Sequence, residues 1–275
     1  MQTYARGDLV FDLTDAGPPD GDLIVLLHGF PQNRHSWDKV IPALTGAGYR
    51  VLAPDQRGYS PAARPLGRRA YVTKELVDDV LALLDAAGAE RAHLVGHDWG
   101  AQVAWSIASS APERLRSLTA VSVPHPVAFL SAMRRGQALK SWYMLAFQAP
   151  FVPEALLPGR FGARFLGGSG LSPEQIRFYL DPLGRDGLTA AINWYRALPF
   201  SRKDSGAYGH RVTVPTLYVW SDGDVALTRA GAEATVNYVT GPYRFEELAG
   251  VSHWIPEEKP DVLAGMIVEH LAAHP

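Results

Sequence analysis

The chain has 275 residues, a net charge of −2, 47% apolar and 20% charged residues, and no cysteine. That balance fits a globular protein with one core and an insertion, and the missing thiols exclude disulfides, cysteine nucleophiles and cysteine-ligated zinc. No basic run points to nucleic acid or an anionic membrane, no stretch reaches ~18 apolar residues, and acidic residues at 8, 12, 15 and 20 interrupt any leader-like start, so a cytoplasmic location is expected.

Residues 9–13, with those before them, read as an antiparallel edge strand. The unbroken apolar run 23–27 reads as a strand buried on both faces. A second such strand spans 50–53 and stops at Pro54. A helix is predicted over 73–87, with Thr73 as N-cap, Glu75 in the first turn and Gly88 as the stop. Its Leu76, Val80, Leu83 and Leu84 share one face. Residues 92–95 and 118–122 read as further strands, separated by a helix that starts after Asp98 and ends near Pro112.

The alternation then fails between 125 and 210. Aromatics crowd this stretch, among them Trp142, Tyr143, Phe147, Phe151, Phe161, Phe165, Phe178, Tyr179, Trp194 and Tyr195, and most are expected to form a local core. Ser172-Pro173-Glu174-Gln175 is a helix start with a capping box. Strands return at 216–220 and 243–248, and a helix fills 261–272. Strands alternating with helices predict an α/β fold with a mostly parallel, doubly wound sheet. Residues 1–124 and 211–275 would form its core domain, and 125–210 a helical cap roofing the carboxyl ends of the strands, where such sheets bind ligands.

The chemistry centres on Asp98. Gly96-His97-Asp98-Trp99-Gly100 lies between a strand and a helix, the setting of a nucleophile elbow, with aspartate where serine is usual. Serine attacking a saturated carbon would leave an ether, whereas a carboxylate leaves an ester that water can cleave. Aspartate therefore points to displacement at carbon, opening a carbon–oxygen or carbon–halogen bond. His28-Gly29-Phe30-Pro31 follows the first buried strand, and the backbone N–H groups of Phe30 and Trp99 are the oxyanion-hole candidates. His28 itself reads as structural. Among nine histidines, His253 follows the last strand and is the candidate base. Asp224, in Ser221-Asp222-Gly223-Asp224, is the candidate to orient it, with Asp222 as competitor. The order Asp98, Asp224, His253 is nucleophile, acid, base on the α/β-hydrolase plan. Halide leaves as an anion, but an epoxide oxygen needs a proton, which a phenol can give. Tyr143, Tyr179, Tyr195 and Tyr208 are the tyrosines available in the 125–210 stretch.

At these motifs the chain resembles the α/β-hydrolase-fold epoxide hydrolases over nearly its whole length. His28-Gly29-Phe30-Pro31, Asp55-Gln56-Arg57-Gly58-Tyr59, Gly96-His97-Asp98-Trp99-Gly100, Asn193-Trp194-Tyr195-Arg196 and Ser252-His253-Trp254 carry the resemblance. It implies Asp98 as nucleophile, His253 as base with Asp224 as partner, and Tyr195 with Tyr143 as the pair on the epoxide oxygen. Phe30, Pro31, Trp99 and Trp254 are the pocket candidates. Asp55 to Tyr59 is expected to brace nearby loops. No cofactor or metal is called for; the expected partners are a small apolar epoxide and water.

The alternative is a haloalkane dehalogenase with the same Asp–His–Asp machinery and Trp99 on the halide, although that family often has asparagine at the position of Phe30. A fluoroacetate dehalogenase would need two arginines where Trp99 and Gln102 stand. A ligand-binding protein that lost its chemistry would not need the full set.

Overall fold

Every residue of the run Leu23–Leu27 is buried, because the strand has a hydrophobic layer on each side. Val25 and Leu27 enter one core, and Ile24 and Leu26 the other. The computed structural model describes residues 1–204 and 211–275. Its strands are β1 (Thr3–Arg6), β2 (Leu9–Ala16), β3 (Leu23–Leu27), β4 (Arg50–Pro54), β5 (Ala92–His97), β6 (Leu115–Val121), β7 (Thr216–Ser221) and β8 (Tyr243–Leu248). They form one sheet in the order β1-β2-β4-β3-β5-β6-β7-β8. The β1–β2 and β2–β4 pairs are antiparallel and the rest parallel, with Ile24 opposite His93 and Gly96 opposite Ala120. The strand order reverses at β3, since the chain goes to β4 on one side and returns to β5 on the other. The crevice past the ends of β3 and β5 is thus a switch point where ligands bind in such sheets.

Helices α1 (Ile41–Gly46), α2 (Thr73–Ala86) and α3 (Trp99–Ser110) come from the first half. Between β6 and β7 the chain leaves the sheet and forms α4 (Pro126–Ser131), α5 (Gln137–Lys140), α6 (Trp142–Ala146), α7 (Val152–Leu156), α8 (Arg160–Gly168), α9 (Pro173–Leu180) and α10 (Gly184–Asp204). Helix α11 (Arg229–Ala234) follows β7, and α12 (Ile255–Glu258) and α13 (Pro260–Ala272) follow β8. Apolar residues of α1 and α13 cover one sheet face, and those of α2 and α3 the other. Among the described residues no helix is long and apolar enough to cross a membrane.

Two local expectations are corrected. Thr73 is the first helical residue of α2, not its cap; the N-cap position is Val72, in extended backbone. Ser201 of α10 accepts the Thr73 N–H at 3.1 Å, so an element distant in sequence satisfies the helix end. The capping box at Ser172 and Gln175 is present at α9. The aromatics between β6 and β7 divide. Phe147, Tyr179, Trp194 and Tyr195 are buried, whereas Trp142, Phe151, Phe161 and Phe178 are 46–70% exposed. Helices of four to nine residues, such as α5 to α8, have one short face each to bury and do not close around a core of their own.

Candidate active site

Asp98 occupies the turn between β5 and α3 with φ 52° and ψ −119°, a conformation costly for a non-glycine residue, on the order of 1–3 kcal/mol. The surroundings force it. A Cβ on Gly96 would collide with the Gly100 carbonyl, and one on Gly100 with the Leu27 carbonyl, so β3, β5 and α3 meet here only through glycine. The strained turn lifts the carboxylate past the strand ends, where its side chain is 14% exposed. Oδ1 accepts the Phe30 N–H at 2.8 Å, and Oδ2 lies 3.4 Å from Nε2 of His253. Trp99 opens α3, so its N–H has no carbonyl four residues back within the helix.

His253 lies beyond β8, and its Nδ1 donates to Oδ2 of Asp224 at 2.7 Å. Oδ1 of Asp224 accepts the N–H groups of Ala226 and Leu227 at 2.7 and 2.9 Å, which fixes the carboxylate's aim. The His253 carbonyl accepts from Nε2 of His97 and from the Ser122 hydroxyl, both at 2.9 Å. Burial alone would lower the His253 pKa, but the charge and hydrogen bond of Asp224, joined by those of Asp98, push it up to about 10. Burial would raise the Asp98 pKa, but the hydrogen bond and charge of His253, the His97 ring and the Phe30 N–H hold it below the usual carboxylate range. The resting site is therefore an imidazolium between two carboxylates.

Four of the competing residues have other partners or surroundings. Asp222 accepts the Gly250 N–H at an exposed turn. His93 bonds Ser117 inside the sheet at 2.8 Å. His28 accepts the Gln56 N–H on Nε2, which leaves Nδ1 to donate to the Gly29 carbonyl, a neutral shaping role. His97 is buried, its pKa lowered to about 4 chiefly by desolvation. The 55–59 segment braces the loops: Asp55 holds Arg34, Arg57 pairs with Asp79, and the Arg57 carbonyl accepts the Trp194 indole N–H at 2.8 Å.

That last bond seats α10 on the sheet side and puts the adjacent Tyr195 edge-on to Phe30 and Trp99, with ring centroids 5.5 and 5.0 Å apart. Tyr143 of α6 meets the Tyr195 ring at 6.0 Å. Burial and then the Asp98 charge raise both phenols, so both stay protonated; on Tyr195 a hydrogen bond from the Trp99 side chain works the other way. Asp98, His253, Tyr143 and Tyr195 line one cavity of about 280 Å³, with Phe30, Trp254, Phe147 and Phe165 in its walls. Pro31 and Trp99 do not line it. Pro31 is buried, and Trp99 packs its ring on Trp194 and Tyr195, reaching the cavity through the latter. Tyr179 points elsewhere, bonding Glu257. Tyr208 and His210 lie outside the described residues.

Sequence reading missed Ser122 and the role of the His97 ring, which grip the His253 carbonyl from 131 and 156 residues away. It also missed Gln137 and Lys140. No local motif marks partners so remote.

The family model for the alpha/beta hydrolase fold matches residues 22–260. The AB hydrolase superfamily protein YfhM of Bacillus subtilis (strain 168) is 40% identical, covering 93% of this chain and 92% of its own. Epoxide hydrolase A of Mycobacterium tuberculosis is 32% identical, covering 94% and 93%. Among solved structures, epoxide hydrolase A from Mycobacterium thermoresistibile superposes with a TM-score of 0.88 at 30% identity, over 99% of this chain and 98% of that one.

Proposed function

The chain belongs to the α/β-hydrolase-fold epoxide hydrolases, and on that premise we propose that it opens small apolar epoxides to vicinal diols through an ester on Asp98. The observation that carries this reading is the meeting of a carboxylate, a carboxylate-paired imidazole and two protonated phenols in one cavity. Asp98 attacks the epoxide carbon from the side away from oxygen, forming the ester and breaking the carbon–oxygen bond. Tyr143 and Tyr195 bind that oxygen and one supplies its proton. The ester removes the Asp98 charge, and the His253 imidazolium passes its proton to the phenolate. His253, oriented by Asp224, then takes a proton from water, which attacks the ester carbonyl, and returns it to the diol oxygen as the acyl carbon–oxygen bond breaks and the Asp98 carboxylate is regenerated. The N–H groups of Phe30 and Trp99 receive the oxyanion, each worth on the order of 3 kcal/mol. The Phe30 N–H already touches Oδ1. The helices between β6 and β7 act as the cap, excluding water and supplying the phenols.

Displacement of halide is less well served. The Trp99 side chain is engaged with Tyr195, and Trp99 is not among the cavity walls. The test is His253→Ala mixed with an aryl epoxide and followed by intact mass. The expected result is a protein heavier by one epoxide; absence of the adduct while wild type turns the epoxide over would refute the two-step scheme.

A further inference from the structure

Helix α5 supplies two side chains to the loop that carries Asp224. Gln137 is fully buried although polar. Its amide N–H₂ donates to the Ala226 carbonyl at 2.8 Å and to the Ser141 hydroxyl at 3.0 Å. Its oxygen accepts the Thr228 N–H and hydroxyl at 3.0 and 3.1 Å. The Lys140 ammonium donates to the carbonyls of Asp224 and Leu227 at 2.5 and 2.7 Å. The same peptides are gripped from their other ends. The N–H groups of Ala226 and Leu227 hold Oδ1 of Asp224, whose Oδ2 holds His253. Each of these two residues therefore hands its N–H to the acid and its carbonyl to α5. A buried amide with its hydrogen bonds met on both sides rigidifies what it touches, and loss of one member leaves the others unsatisfied.

We propose that Gln137 and Lys140 are positioning residues for Asp224, latching the inserted helices to the acid loop so that His253 is correctly aimed only while α5 is docked. This builds on the epoxide-opening reading, in which the base is needed for the second half-reaction alone. Closure over substrate and readiness of the base are then one structural event. Neither residue is required to touch the reacting atoms. Lys140 and Ala226 also stand in the cavity wall, so the latch and the cavity share these two residues.

The test compares Lys140→Met with Lys140→Arg, which keeps donors for the carbonyls. Proton NMR of the free enzyme follows the low-field Nδ1–H of His253, a signature of its bond to Asp224. Rapid mixing with an aryl epoxide separates ester formation from ester hydrolysis. In Lys140→Met the resonance should broaden or move upfield, and hydrolysis should fall at least about tenfold more than ester formation, the scale of a sub-ångström to ångström misplacement. Lys140→Arg should restore most of both. An unchanged resonance overturns the proposal, as does an equal fall in both steps, which marks general loosening. If Lys140→Met does not fold, Gln137→Met carries the same comparison with Lys140 in place. The resonance needs no substrate, so a wild-type enzyme that opened no epoxide would refute the functional reading while leaving the latch to be decided by NMR.

Discussion

The sheet and the inserted helices build opposite walls of one cavity by different means. The sheet side places its groups by backbone: a left-handed turn at Asp98, a loop whose N–H groups hold Asp224, and a carbonyl at His253 held from two directions. The inserted side places its groups by packing, with Tyr195 and Tyr143 set by contacts with Phe30, Phe147, Phe165 and Trp99. The carboxylate and the imidazole sit on the first wall; the second carries the neutral phenols, with the Lys140 ammonium turned to backbone carbonyls. Under the proposed mechanism, the groups that form and break bonds to carbon are on the first wall, and those that bind and protonate the epoxide oxygen are on the second.

Substitutions on each wall sharpen that contrast. Asp98→Ala removes the proposed nucleophile, and turnover of an aryl epoxide should fall by at least about 10⁴-fold. In the same variant the His253 imidazole should titrate below its resting value of about 10, since one of its two carboxylates is gone. Nitrogen-15 NMR across pH reads this, and an unmoved titration would break the electrostatic account of the first wall.

The inserted wall depends on a buried fork. Arg196 pairs with Glu154 at 2.6 and 3.1 Å and donates to the carbonyls of Phe147 and Ala149. Arg196→Met strands the Glu154 charge and should cost about 3–5 kcal/mol in denaturant unfolding. Tyr195→Phe leaves the packing and deletes the donor, so ester formation should slow about 10²-fold with hydrolysis much less affected, in single-turnover kinetics. An equal effect on both steps would place Tyr195 with the sheet-side machinery instead.

The pH dependence of stability separates the walls further. An imidazole whose folded pKa is raised stabilises fully below its ordinary ~6.5 and loses that contribution as pH rises through the folded value. Wild type should thus lose stability between roughly pH 6.5 and about 10, a loss that His253→Gln should lack. Asp98, held low, contributes above the ordinary carboxylate range and loses it as pH falls through its depressed pKa. At the other extreme, Lys74 makes an exposed i,i+4 pair with Asp78, and Lys74→Ala should change stability by less than about 0.5 kcal/mol.

The same contrast explains what could be read from residues alone. Buried strands announce themselves as apolar runs, and chain order assigns Asp98, Asp224 and His253 to strand ends, so the sheet wall was legible down to the choice of Asp224 over Asp222. Tyr195 was visible through Asn193-Trp194-Tyr195-Arg196, whose tryptophan anchors α10 on the Arg57 carbonyl. The inserted wall was otherwise opaque. Its short helices carry aromatics in no regular period, so Phe165 in the cavity wall and Phe151 in solvent look alike in sequence. The start of α2 is not legible locally, because the group that accepts the Thr73 N–H, the Ser201 hydroxyl, is 128 residues away.

The imidazolium between two carboxylates has a temporal consequence under the proposed mechanism. While Asp98 is anionic, its charge favours the acid form of the ring. Esterification erases that negative charge, the ring's proton affinity drops, and its proton can pass to the phenolate left by epoxide opening, which frees a base once an ester exists for it to act on. The order of the two chemical events would then be enforced by an electrostatic interlock, with no moving part needed to keep them in sequence.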